Sequence, residues 1–240
     1  MKISNNIILI TGGATGIGSG LTERFIQESN TVIICGRRAA ALKDVADRFP
    51  NVITYVCDLS VEAERIGLYE WIKENHSDLN VLINNAGIQN WMNVSDADFY
   101  QKASDEITTN VLAPIHLTSL FIQLPALRTV VNVTSGLAFT PLSKVAVYSA
   151  TKAFMRSFTI SLRYLLKEKN IEVIEMVPPA LNTDLGGKGI HDSYPAVEEF
   201  VASIFEQLQE GKNELTFGFS EERVKTNNAA IAEQVSQLNK

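Results

Sequence analysis

Cysteine and histidine are scarce, with two and three residues respectively in 240. Cys35 and Cys57 stand near the ends of apolar runs, without C-x-x-C spacing and without clustered histidines. They are expected to be buried free thiols of a reducing compartment, so neither a disulfide framework nor a thiol and imidazole metal site is expected. An excess of positive charge is missing as well. The 21 Lys and Arg are outnumbered by 27 Asp and Glu, for a net charge of -6, so neither a nucleic-acid face nor a basic membrane-binding face can rely on global attraction. No apolar run approaches the ~18 residues that a membrane span requires. The opening Met-Lys-Ile-Ser-Asn-Asn runs straight into a strand pattern, without the regions of a signal peptide. A cytoplasmic protein with small-molecule ligands is the expectation. No internal repeat and no linker breaks the chain, so residues 1–240 are expected to form one domain.

What is present is an alternation of short apolar runs and amphipathic stretches. Ile7-Ile8-Leu9-Ile10, Thr31 to Cys35, Val52 to Val56, Val81 to Ile83, Thr129 to Thr134 and Glu172 to Val177 read as strands, with a short seventh at Glu214 to Phe217. Helices are expected near 17–29, 39–49, 61–74, 98–124, 148–169 and 196–209, the fourth kinked at Pro114. Such alternation implies an α/β fold, a doubly wound parallel sheet of the Rossmann type with helices on both faces. The polar stretch from Ser220 to Lys240 has no strong apolar periodicity and is either a surface helix or frayed.

The residues with chemical content fall where strands end. After the first strand, Thr11-Gly12-Gly13-Ala14-Thr15-Gly16-Ile17-Gly18 supplies a tight turn, lets the backbone approach a pyrophosphate, and aims the amides of the next helix at it. The second strand ends in Gly36-Arg37-Arg38, where an acid would hold the ribose 2′-hydroxyl of NAD; two arginines there favour NADP(H), with NAD(H) as the other candidate. Asp58 follows the third strand and either accepts from an adenine amino group or caps the next helix, while Leu59 can pack under the base. Asn84-Asn85-Ala86-Gly87 follows the fourth strand, small enough to pass close to a cofactor. Asn110, if buried, must be hydrogen-bonded. Ser135 closes the fifth strand, thirteen positions before Tyr148. Tyr148 and Lys152 lie four apart on one helix and share a face; a positive charge there favours the phenolate and suits Tyr148 to general acid or base work. Gly186-Gly187-Lys188-Gly189 belongs to a substrate loop at about 184–197, either a mobile lid or a disordered segment.

Taken as a set, the glycine turn, Asn84-Asn85-Ala86-Gly87, Asn110, Ser135 and Tyr148-x-x-x-Lys152 resemble the short-chain dehydrogenase/reductase family in order and spacing, over nearly the whole chain. Val177-Pro178-Pro179-Ala180-Leu181-Asn182-Thr183-Asp184-Leu185, with Ser135-Gly136-Leu137-Ala138-Phe139, looks like the DltE-type subgroup. The resemblance implies an oxidoreductase that moves hydride between NADP(H) and a carbonyl or alcohol. It implies that Tyr148 exchanges the proton, Lys152 lowers the Tyr148 pKa and holds the nicotinamide ribose, Ser135 binds the substrate oxygen, and Asn110 completes a water-borne relay through its backbone. Pro178 and Thr183 would border the nicotinamide carboxamide, although Pro179 stands where the family usually has glycine. A homodimer through helices 98–124 and 150–169, or a tetramer, is implied too. A cofactor-sensing binding protein without turnover is the alternative, disfavoured by the intact set of four. An epimerase-type use of a resident cofactor would need a different glycine spacing and a longer substrate region.

Overall fold

The computed structural model describes residues 1–226 and 228–239. Seven strands, β1 (Ile7–Thr11), β2 (Thr31–Gly36), β3 (Ile53–Val56), β4 (Val81–Asn84), β5 (Thr129–Val133), β6 (Glu172–Val177) and β7 (Glu214–Thr216), form one sheet in the order β3-β2-β1-β4-β5-β6-β7. Every adjacent pair is parallel, with Leu9 facing Ile33 on one side and Leu82 on the other.

Both faces of the sheet are covered, which is why its strands are apolar throughout and not alternating. Ile8 and Ile10 point to one layer, where they meet Leu21 and Phe25 of α1 (Gly16–Gln27), Leu42 of α2 (Ala39–Arg48) and Phe200 and Ile204 of α7 (Val197–Gln209). Leu9 points to the other layer, with Leu68 and Ile72 of α3 (Glu62–Asn75), Leu117 and Phe121 of α5 (Ala113–Phe121) and Leu162 of α6 (Ala146–Leu165). Each such side chain contributes roughly 1.5–3 kcal/mol on burial, so the two layers hold the sheet edge rigid beneath whatever binds there. Cys35 and Cys57 are buried free thiols. Burial pushes the Cys57 thiol up to about 12, far from a reactive thiolate. No helix among the described residues is long and apolar enough to cross a membrane.

One region differs from the sequence expectation, and a second, the tail, takes the helical one of its two readings. The helix anticipated over 98–124 is three pieces: α4 (Phe99–Ile107), a π-helical turn (Thr108–Leu112) and α5. The distortion precedes Pro114 instead of falling on it. Proline has no N–H and its ring clashes with a carbonyl four residues back; the wider turn, in which the Ala113 N–H reaches the Thr108 carbonyl, makes room for it. The Asn110 carbonyl is thereby left without an i+4 donor. At the other end, the tail forms α8 (Phe219–Arg223) and α9 (Asn228–Leu238). Gln234 accepts hydrogen bonds from Thr140 and Arg223, both at 2.8 Å, and Asn239 pairs with the Pro141 carbonyl and the Ser143 N–H. The tail therefore clasps the loop leading into α6, through side chains too polar to show an apolar stripe.

Candidate active site

Topology places the site. The chain winds from β1 out to β2 and β3 on one side and then crosses back to β4 on the other side of β1, and the crevice above the carboxyl ends of β1 and β4 is where an open α/β sheet binds ligands. The turn from β1 into α1 needs left-handed backbone at Gly12 (φ +65°) and Gly16 (φ +53°). At Gly18 the requirement is space: a Cβ there would sit 2.1 Å from the Gly12 carbonyl oxygen. Gly18→Ala is expected to cost about 1–3 kcal/mol of stability and to weaken nucleotide binding, read as a lower urea midpoint and a weaker fluorescence titration. Thr15, the residue before α1, makes no side-chain cap, and the first turn holds no acid. The leading amides of α1, including those of Ile17 and Gly18, thus face the crevice as an anion site.

A nicotinamide dinucleotide fits this cradle. Arg37 and Arg38 are exposed at the end of β2, and Arg38 reaches the Thr15 hydroxyl at 3.3 Å. Asp58 uses Oδ1 to hold the backbone and hydroxyl of Ser60 at 2.9 and 2.7 Å, in a turn ahead of α3; the helix cap is Val61, without a side-chain bond, so Asp58 does not cap that helix as the sequence also allowed. Those bonds first, and the Arg37 charge after them, hold the Asp58 carboxyl below its usual range. Leu59 is buried beside it. Thr11 latches the next loop: its hydroxyl donates to the Ile83 carbonyl at 3.2 Å and accepts from the N–H groups of Asn85 and Ala86 at 2.9 and 3.0 Å. Asn85 donates back to the Thr11 carbonyl at 2.8 Å.

The reactive groups meet at the far end of the crevice. A Cβ on Gly87 would lie 3.3 Å from Asn110 Oδ1 and 3.6 Å from Lys152 Nζ, so three segments converge there. Asn110 is buried and fully used, accepting from the Ile88 N–H and donating to the Ile88 carbonyl, both at 2.8 Å, and to Thr151 Oγ1 at 3.2 Å. Thr151 in turn donates to the Tyr148 carbonyl at 2.7 Å, which ties the first turn of α6 to the π-helical turn. Lys152 Nζ donates to the Val133 carbonyl at 2.8 Å and lies 5.5 Å from the centre of the Tyr148 ring. The Ser135 hydroxyl stands beside the phenol and accepts from the Leu137 N–H at 3.1 Å.

The model of the short chain dehydrogenase family matches residues 6–193. The chain belongs to the short-chain dehydrogenase/reductase family. It is an oxidoreductase of the DltE type, 42% identical over 230 residues to the uncharacterized oxidoreductase DltE of Bacillus subtilis (strain 168), covering 90% of this chain and 89% of that one. It is 29% identical over 178 residues to the NADP-dependent 3-hydroxy acid dehydrogenase YdfG of Escherichia coli (strain K12), covering 72% and 71%. Among solved structures, a short chain dehydrogenase from Burkholderia cenocepacia J2315 in complex with NADP superposes with a TM-score of 0.86 at 25% identity, over 99% of each chain.

Within this short-chain dehydrogenase/reductase, one electrostatic expectation needs correction. Lys152 was expected to lower the Tyr148 pKa. Burial instead pushes the phenol up, the Ser135 hydroxyl pulls it back, and Glu106 pushes it up again. Lys152 is itself buried, which lowers its ammonium to about 8. The Lys152 ammonium points to the Val133 carbonyl, and its attraction for a phenolate does not outweigh the loss of solvation that burial imposes on the Tyr148 oxygen. Thr183 sits against the glycine turn, 3.3 Å from where a Gly16 Cβ would be, and the Pro178 carbonyl accepts the Gly136 N–H at 3.0 Å. The loop at about 184–197 is closed at its base, where Asn182 donates to the carbonyls of Pro195 at 2.9 Å and Asp192 at 3.3 Å. His191 approaches the Thr183 carbonyl at 3.3 Å.

Three residues were missed in the sequence: Thr11 as a latch, Arg156 and Glu106. Arg156 joins Glu175 and Glu214 at 2.8 Å each and stacks 4.1 Å over Phe139, tying α6 to the segment after Ser135. Its position one turn after Lys152 was a usable signal, as was that of Glu106 one turn before Asn110.

Proposed function

We propose that the chain catalyses hydride transfer between NADP(H) and a carbonyl or alcohol substrate, in one domain, with Tyr148 as general acid and base. The supporting observation is the buried Tyr148 phenol, held protonated at neutral pH, with the Ser135 hydroxyl beside it at the sheet edge that carries the glycine turn. In reduction the substrate carbon receives a hydride and its oxygen a proton; in oxidation the alcohol gives up both. The bound nicotinamide supplies or takes the hydride. Tyr148 delivers the proton to the developing alkoxide while the Ser135 hydroxyl donates a second hydrogen bond to it, an arrangement that stabilises the transition state more than the ground state. Lys152 holds the ribose, and the Asn110 carbonyl, without an i+4 donor, is available to a water that returns a proton towards Lys152.

The phosphate and adenine contacts fall to Gly12, Thr15, Gly16, Ile17, Gly18, Arg37, Arg38, Asp58 and Leu59, and the nicotinamide side to Asn85, Ala86, Gly87, Pro178 and Thr183. The arginines favour NADP(H), in keeping with the NADP of the Burkholderia structure. The substrate lies under the loop at about 184–197. Tyr100, Leu112, Tyr164 and Leu165 are exposed on α4, the π-helical turn and α6, at 82%, 50%, 79% and 69%, an apolar face suited to a homodimer in the cytoplasm. The test is a fluorescence titration with NADPH and NADH, then oxidation of bound NADPH against aldehydes, ketones and quinones. Tight NADPH binding with turnover supports the assignment; binding without turnover across the panel favours the sensor, and no binding of either nucleotide removes the reading altogether.

A further inference from the structure

Glu106 is fully buried on α4, and no step above uses it. Its Oε1 accepts the Asn90 N–H at 2.5 Å, while Oε2 has no hydrogen-bond partner among the described residues. An idle buried carboxyl oxygen is unfavourable and calls for an explanation. Glu106 and Asn110 are one turn apart, so their side chains leave the same face. Asn110 grips both backbone groups of Ile88 and Glu106 grips Asn90, two rungs that fix the stretch after the Asn84-Asn85-Ala86-Gly87 loop. The residues between and beyond the rungs face the substrate loop: a Cβ on Gly186 would meet Gln89 Nε2 at 2.7 Å and Trp91 Nε1 at 3.2 Å. On its other side α4 packs on α6, and the Glu106 charge acts on Tyr148.

We propose that Glu106 is a positioning residue of the reaction described above, holding the substrate wall 88–91 against the loop and placing a switchable negative charge beside the Tyr148 phenol. The proposal rests on the assignment of Tyr148 as the proton donor. Burial raises the Glu106 carboxyl to about 7, against the hydrogen bonds from Asn90. The ionisable groups of α6 at this end are Tyr148 and Lys152, and segment 88–92 has none. On α4 itself Lys102 pairs with Asp98 and Asp105 accepts from Gln101, both at the outer surface. Ionised Glu106 opposes the phenolate, so above neutral pH it keeps Tyr148 protonated. That favours reduction over alcohol oxidation, which needs the phenolate as base.

Glu106→Gln retains an acceptor for the Asn90 N–H and removes the charge; Glu106→Ala removes both. With Glu106→Gln the pH-rate profile for alcohol oxidation is expected to move to lower pH by about half a unit or more, with wild-type rates below pH ~6. Glu106→Ala shows the same displacement plus a severalfold higher KM, which glutamine restores. Thermal unfolding reads the charge without substrate. A carboxyl whose pKa rises on folding, from 4.5 to about 7, gives stability that is full below 4.5 and lost as pH rises through 7. Glu106→Gln should therefore gain on the wild type across that window and hold its advantage above it. Melting curves that differ by a constant amount at every pH, or a Glu106→Gln profile superimposed on the wild type, overturn the proposal while an active wild type leaves the function standing. A wild type that oxidises NADPH with no carbonyl compound removes both.

Discussion

Tyr148→Phe is expected to lower kcat for carbonyl reduction by about 10³-fold while changing NADPH affinity only a few-fold. The size follows from what is lost. The phenol is the buried hydroxyl placed beside Ser135, and burial keeps its proton on at neutral pH, the state that an acid catalyst of reduction requires. Phenylalanine keeps the ring and its packing against Lys152, 5.5 Å from its centre, so the fold and the glycine turn are untouched. Ser135 alone can still donate a hydrogen bond to the substrate oxygen but has no pathway to replace its own proton. The residual rate then reflects proton delivery from solvent and should rise as pH falls, whereas the wild-type rate is flat there. Stopped-flow single turnovers with preloaded NADPH separate this loss from any change in binding, and wild-type turnover by Tyr148→Phe would remove the tyrosine from the mechanism.

Much of this arrangement is readable in the chain because the fold delivers it locally. Four-residue spacing puts Tyr148 and Lys152 on one face whatever α6 packs against, and an apolar tetrad followed by glycines marks a strand entering a phosphate turn. Failures of the reading occur where the decisive partner is distant. The apolar pattern runs unbroken from Asp98 to Leu124; Pro114 signals that the helix is disturbed, but where it opens goes with the distant bonds of Asn110 to Ile88 and Thr151, which no local pattern shows. The tail, which the sequence left open between a surface helix and a frayed end, is a helix held by Gln234 and Asn239, polar anchors that leave no periodicity to decide between the two. The Tyr148 pKa was misjudged for a related reason: spacing brings Lys152 near, but burial of both groups, a property of the assembled layers, outweighs the charge.

Replacing Arg37 and Arg38 separately is expected to divide cofactor recognition into two parts. Neither has an ion-pair partner among the described residues, and both are exposed at the end of β2, where the ribose 2′ substituent of a dinucleotide falls. Arg37 stands closer to the adenosine side, since its charge acts on Asp58. Arg38 leans the other way, onto Thr15 in the pyrophosphate turn, at 3.3 Å. A charge-assisted bond to a phosphate is worth about 1.5–3 kcal/mol, and exposure to solvent and salt puts these at the lower end. Arg37→Ala should then weaken NADPH by about 10-fold and leave NADH unchanged, because NADH offers no 2′-phosphate. Arg38→Ala should weaken both nucleotides by a smaller factor, through the pyrophosphate turn they share. The double variant approaches equal affinity for the two, and its NADPH binding loses most of its dependence on ionic strength. Equal losses of NADPH and NADH in Arg37→Ala would place that arginine on the common part of the cofactor. In that case the missing acid at the end of β2, and not the arginine, sets the preference, and introducing aspartate at position 37 should raise NADH affinity where alanine does not.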